Sequence, residues 1–185
     1  MLKQIVTDAE ARMKKSVEHF RGEMASLKAG RATPAILDKV RIDYYGTPSP
    51  VNQVANIEVA DARTLVIKPW DRTMIKLIEK GILTSDLGLN PMNDGVVIRL
   101  VLPPMTEDRR KELVKTCQKR TEEERVAIRN IRRDTNDAIK KAEKDKTVTE
   151  DESKRTQEDV QKLTDKYIKE AEAILASKER EIMEV

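Results

Sequence analysis

The stretch Leu102-Pro103-Pro104-Met105-Thr106-Glu107-Asp108-Arg109-Arg110 decides how this chain folds. Pro103 and Pro104 are the last of its seven prolines, Pro34 is the first, and none lies outside that interval. A proline inside a helix removes a backbone donor and clashes with the preceding turn, at a cost of about 3 kcal/mol. Residues 1–30 and 105–185 are therefore free to run as helix, and residues 31–104 must form something else. Directly after the prolines, Thr106 is placed to cap a first turn, and Glu107 and Asp108 suit the positive end of its dipole.

Downstream, residues 107–145 carry a seam of Leu113, Cys117, Thr121, Glu124, Ile128, Ile131, Thr135, Ala138 and Ala142 at helical spacing, polar in its middle. Lys144-Asp145-Lys146-Thr147-Val148 turns the chain, and Thr149-Glu150-Asp151-Glu152 reads as a capping box. A further helix follows with Val160, Leu163, Tyr167, Ala171, Ile174 and Ile182. At about 1.5 Å per residue, each of these two helices is on the order of 50 Å long. Upstream, Ile5, Ala9, Met13, Val17, Phe20, Met24 and Leu27 make the seam of a first helix, with Gly30 placed to end it in the left-handed conformation. None of the three is apolar all round, so an antiparallel three-helix bundle is the economical way to bury them.

The proline-bearing middle has another rhythm. Val40, Ile42 and Tyr44 alternate with Arg41, Asp43 and Tyr45 as a half-buried strand that Gly46-Thr47-Pro48-Ser49-Pro50 interrupts. Residues 54–59 and 64–68 read as strands, and residues 73–85 as a helix with Met74, Ile75, Ile78 and Ile82 inward. Residues 87–91 form a loop, and Val96, Ile98, Leu100 and Leu102 a last strand. The expected architecture is α+β: an elongated three-helix bundle from residues 1–30 and 105–185, with a small β/α/β sandwich of residues 31–104 inserted after the first helix. Two backbone crossings, near Gly30-Arg31 and Pro103-Pro104-Met105, would join the bodies in an L whose angle varies.

Composition agrees with long solvated helices. Charged residues make up 37% of the 185, aromatics 3% and hydrophobic residues 38%, with a net charge of +3. Residues 107–145 hold 13 Lys/Arg against 10 Asp/Glu, and residues 149–185 hold 7 against 11, so one helix is basic and its neighbour acidic. Cys117 is the only cysteine, which excludes an intrachain disulfide and fits a reducing compartment. The first residues are amphipathic with no apolar block of signal-peptide length, and a soluble cytoplasmic protein is expected.

Residue types for chemistry are scarce. None of the six glycines sits in a phosphate cradle, and the single His19 leaves no histidine metal set. No metal, cofactor or catalytic residue is expected. The positive signal is Arg125-Val126-Ala127-Ile128-Arg129-Asn130-Ile131-Arg132-Arg133-Asp134. At 100° per residue Arg125, Arg129 and Arg132 share a narrow stripe with Asn136 in line, and Arg133 borders it. Two readings stand. The stripe is either a solvated face paired with the acidic helix, or a phosphate-binding face built from planar guanidinium forks. With so few aromatics, backbone-and-shape recognition of folded RNA fits better than base stacking.

Several motifs in order resemble the ribosome recycling factor family along the whole chain. They are residues 28–34 (Lys-Ala-Gly-Arg-Ala-Thr-Pro), 43–48 (Asp-Tyr-Tyr-Gly-Thr-Pro), 85–91 (Ser-Asp-Leu-Gly-Leu-Asn-Pro), 102–110 and the arginine helix 126–134. Lys28-Ala29 departs from the Arg-Thr of that family and replaces a bidentate fork with a single ammonium. The resemblance implies a non-enzymatic factor that binds the post-termination ribosome and, with elongation factor G and GTP, separates its subunits. The bundle would lie on large-subunit rRNA at the intersubunit face, the protein being a monomer. It implies Arg129 and Arg132, then Arg133 and Arg31, with Arg125 and Lys28, as rRNA contacts. It implies Gly30, Arg31, Pro103, Pro104 and Met105 as the hinge. A coiled-coil adaptor for a protein partner would instead show a second seam, and a nucleic-acid-modifying enzyme would need a metal or nucleophile.

Overall fold

The computed structural model describes residues 1–27 and 30–184. The chain divides into two compact units, Met1–Lys28 with Glu107–Glu184, and Ala29–Thr106.

The first unit is a bundle of α1 (Leu2–Ser26), α3 (Glu107–Lys144) and α4 (Glu150–Glu184), each helix packed against the other two. Ala9, Met13, Val17, Phe20 and Met24 of α1 are buried at steps of three and four. Facing them are Cys117, Thr121, Glu124, Ile128, Ile131, Thr135, Ile139 and Ala142 of α3. The seam of α3 thus passes through Ile139, not Ala138, which is exposed. Both positions lie within reach of the helical period, and the larger apolar side chain takes the interior. On α4 the buried set is Ser153, Thr156, Val160, Thr164, Tyr167, Ala171, Lys178 and Ile182. The capping box forms: the Glu152 N–H donates to Thr149 Oγ1 at 3.1 Å, and the Thr149 N–H donates to Glu152 Oε2 at 3.3 Å.

α1 ends earlier than Gly30. Its C-cap is Leu27, in extended conformation, and the freed Leu27 carbonyl accepts a hydrogen bond from Lys178 Nζ of α4 at 2.6 Å. Gly30 does take a positive φ of 73°, in the segment beyond the helix.

The second unit holds β1 (Arg41–Tyr44), β2 (Thr47–Pro50), β3 (Ala55–Asp61), β4 (Thr64–Pro69), α2 (Ile75–Leu83), β5 (Pro91–Asn93) and β6 (Ile98–Val101). β1 and β2 form a hairpin, and the remaining strands an antiparallel sheet in the order β3-β4-β6-β5. Tyr45 (φ 50°) and Gly46 (φ 83°) make the left-handed pair that a two-residue hairpin turn requires. β2 and β5 were not expected, because Pro48, Pro50 and Pro91 fall in them. Each has an unpaired edge, where a missing N–H costs no ladder bond.

One apolar cluster joins the three layers. Ile42 of β1, Ile75, Ile78 and Ile82 of α2, Leu65 and Ile67 of β4, and Ile98 and Leu100 of β6 are all buried in it. α2 approaches β1 so closely that a Cβ on Gly81 would stand 3.1 Å from the Arg41 carbonyl oxygen. At the edges the alternation lapses: Tyr44 is exposed at the hairpin end, and Val96 is exposed because Asp94 turns the chain there by accepting the Val96 and Val97 N–H groups.

Candidate nucleic-acid interface

The arginine stripe lies where α3 borders α4, and its members differ in how far they are committed. Arg125 is the most committed. Its Nη1 donates to Glu122 at 2.9 Å and its Nε to Glu172 of α4 at 3.2 Å, leaving the side chain 23% exposed. The Glu122 hydrogen bond is the main reason its pKa rises still further above the ordinary value. Arg132 is half-buried and donates from Nη1 to the neutral Gln161 Oε1 at 3.1 Å. Arg129 is 45% exposed and has one long ion pair, 3.8 Å to Glu122. Arg133 is exposed and makes no ion pair among the described residues.

This order follows from helix geometry. Arg132 falls on the side of the stripe nearest the Ile128–Ile131 seam, and Arg133 on the side farthest from it, so one leans on α4 while the other points outward. Asn136, in line with the stripe, does not face solvent freely: its Oδ1 is buried and has no hydrogen-bond donor among the described residues. The acid overlooked in the sequence is Glu122, three residues before Arg125 and seven before Arg129. Those are helical neighbour spacings, so the signal was present. The same period carries the outward side of the stripe to Lys140 and Lys144, both exposed and without an ion pair among the described residues.

Across the bundle, Arg12 of α1 pairs with Asp134 at 3.2 Å, and Arg120 pairs with Glu23 at 3.6 Å. Asp134 is thereby drawn toward α1 and away from Arg129 and Arg133. Arg31 is exposed in the second unit, and Lys28 lies outside the described residues. Of the expected hinge residues, Pro103 and Pro104 are exposed and Met105 half-buried, in the irregular segment between β6 and α3.

The remaining reactive side chains are quiet. His19 is exposed and bonded to Glu23 at 3.1 Å. Burial pushes the Cys117 thiol up from its ordinary pKa, away from a reactive thiolate. Among the described residues no cluster of His, Cys, Asp and Glu could hold a metal ion, and no helix is long and apolar enough to cross a membrane.

Comparison with known proteins points the same way as the motifs. The family model described as ribosome recycling factor matches residues 20–183. The chain is 69% identical to the ribosome-recycling factor of Symbiobacterium thermophilum and 60% identical to that of Syntrophomonas wolfei, in both cases over the full length of both chains. A solution structure of ribosome recycling factor is similar at a TM-score of 0.66 and 44% identity, covering 100% of this chain and 98% of the other. A second solved structure is similar at a TM-score of 0.59 and 44% identity, covering 98% of each chain. It holds the T. thermophilus ribosome recycling factor, in models with E. coli elongation factor G bound to the E. coli post-termination complex. With the family model spanning most of the chain and relatives matching it end to end, this chain belongs to the ribosome recycling factor family.

Proposed function

We propose that this protein binds the post-termination ribosome and, with elongation factor G and GTP, promotes its dissociation into subunits and the release of mRNA and tRNA. The observation that carries the reading is the end-to-end match to ribosome recycling factors, one relative of which is bound together with elongation factor G on a post-termination complex. The chain supplies no chemistry of its own in this reading. It acts as a monomeric cytoplasmic lever, and the GTPase supplies the free energy.

The bundle docks on large-subunit rRNA at the intersubunit face through α3. Arg129, Arg132 and Arg133 make the main phosphate contacts, and Arg31 and Lys28 add further ones. Arg125 serves chiefly to brace α3 against α4, because its guanidinium already holds two carboxylates. Gly30, Arg31, Pro103, Pro104 and Met105 form the hinge on which the smaller unit moves. Glycine loosens one crossing and proline stiffens the other.

The test is a subunit-splitting assay on post-termination ribosomes, with and without elongation factor G and GTP. Splitting that needs both is the expected result. About four arginine–phosphate contacts give a log–log salt slope of roughly −3 for ribosome affinity. Arg132→Glu should weaken binding and leave the helical spectrum intact. Unchanged affinity in that variant would remove the stripe from the interface.

A further inference from the structure

The β3–β4 turn holds both segments through which the chain enters and leaves the smaller unit. Asp61 and Thr64 are the last paired residues of that ladder, which leaves Ala62 and Arg63 at the tip. The Asp61 carboxylate accepts the Arg63 N–H at 2.9 Å and so fixes the tip's conformation. Hydrogen bonds from Arg63 and Thr64 hold the Asp61 carboxyl below its ordinary pKa.

Carbonyls at the tip of a hairpin commonly face water. Here both are used. The Ala62 carbonyl accepts the Ala32 N–H at 2.8 Å, and the Arg63 carbonyl accepts the Leu102 N–H at 2.7 Å. Ala32 is the first buried member of the unit's core, and Leu102, one residue beyond β6, packs against that core. The two fastenings thus sit on consecutive residues, whose Cα atoms are about 3.8 Å apart. Gly30 and Arg31 stand immediately before one fastening. Pro103, Pro104 and Met105 stand immediately after the other.

We infer that the Asp61–Thr64 turn is the clamp of the pivot, and that Asp61 is a positioning residue for recycling because it keeps the Ala62 and Arg63 carbonyls aimed at the two crossings. The inference rests on the recycling reading above. The clamp stops bending from spreading past Ala32 and Leu102 into the sheet. A push on the smaller unit is then taken up at Gly30 and Arg31 and at Pro103, Pro104 and Met105 instead of fraying the strand ends. The main-chain carbonyls of the tip make the clamp, and the Asp61 carboxylate holds them in place.

Asp61→Ala removes the acceptor, and Asp61→Asn retains an oxygen in the same place. Both are made in the full chain, where Asp61 is exposed. Asp61→Ala should exchange the Ala32 and Leu102 amides about tenfold faster, the equivalent of one lost hydrogen bond. The ladder amides of Ile67 and Ile98 should keep their protection and so report an intact fold. Spin labels at Asp137→Cys and Asn52→Cys should show a broadened distance distribution. Subunit splitting should slow at unchanged ribosome affinity, and Asp61→Asn should restore all of these. Unchanged exchange at Ala32 and Leu102 overturns the clamp. So does faster exchange with the distance distribution and splitting of the unsubstituted protein. Failure of the unsubstituted protein to split ribosomes overturns the recycling reading instead, while exchange and label distances still decide the clamp.

Discussion

Fifteen buried side chains from Ala32 to Leu100 make up the apolar cluster of the smaller unit, with Ser49 the one buried polar residue there among the described residues. The bundle instead buries Thr121, Glu124, Thr135, Ser153, Thr156, Thr164 and Lys178 beside Met13, Val17 and Ile128. A small sheet-and-helix unit has few residues with which to exclude water, and its interior must be filled by large aliphatic groups. A long bundle spreads its burial along three seams and tolerates hydroxyls that satisfy themselves. Thr121, Thr135, Thr156 and Thr164 each donate to the carbonyl four residues earlier, at 2.7–2.8 Å. They need nothing from the facing helix. Each unit is thus sensitive to a different kind of change.

The largest effect should come from the aliphatic interior. Ile67 is fully buried at the centre of the sheet, between β3 and β6. Ile67→Ala should destabilise the smaller unit by about 2–5 kcal/mol, from lost transfer energy plus the cavity left behind. Trp70, the only tryptophan, follows β4 directly and reports that unit's unfolding in urea by fluorescence. A loss below 1 kcal/mol would mean that this core relaxes around the gap, and the contrast with the bundle would fail.

A middle-sized effect should come from the one buried cation of the bundle among the described residues. Lys178 is 6% exposed, donates to the Leu27 carbonyl, and stands 3.4 Å from Glu181. Lys178→Met keeps much of the volume and removes the donor. The half-buried end of α1 then loses a charge-assisted hydrogen bond, for which the expected cost is about 1–3 kcal/mol. The loss of helical signal on heating measures it. No change in midpoint would show that water replaces the ammonium at that carbonyl.

The bundle was legible in the sequence because its period is long and uninterrupted by proline, and Thr149–Glu152 announced a helix start that formed as read. The smaller unit was legible where apolar residues alternate, run together or recur at helical spacing, as in α2. β2 and β5 carry prolines that look like breaks, and only their edge positions make them strands. The candidate site was half legible. Spacing along one helix found the stripe, but the partners of Arg125 and Arg132 include Glu172 and Gln161 of α4, which helical periodicity within α3 cannot register. For the same reason the Leu27–Lys178 bond, joining residues far apart in sequence at an α1 end that precedes Gly30, could not be read from the α1 seam.

The smallest effect separates the polar seam by pH. Glu124 is buried, its carboxylate accepting from Ser16 Oγ at 2.7 Å. Burial is the main cause that raises its pKa; Glu23 adds to the rise, while the Ser16 hydrogen bond and His19 oppose it. The folded chain then binds the Glu124 proton more tightly than the unfolded chain does. Stability from this group is therefore greatest below the unfolded carboxyl value and falls as pH rises from there through the raised folded value. Glu124→Gln keeps an oxygen for Ser16 and has no charge to bury. At neutral pH the Gln variant should be at least as stable as the unsubstituted protein, and the difference should close as the pH falls toward the ordinary carboxyl range. Paired urea titrations across that range measure it, the remaining groups cancelling between the two proteins. Two stability curves that run parallel would mean that water reaches Glu124, and that the polar middle of the α3 seam is wet instead of self-satisfied.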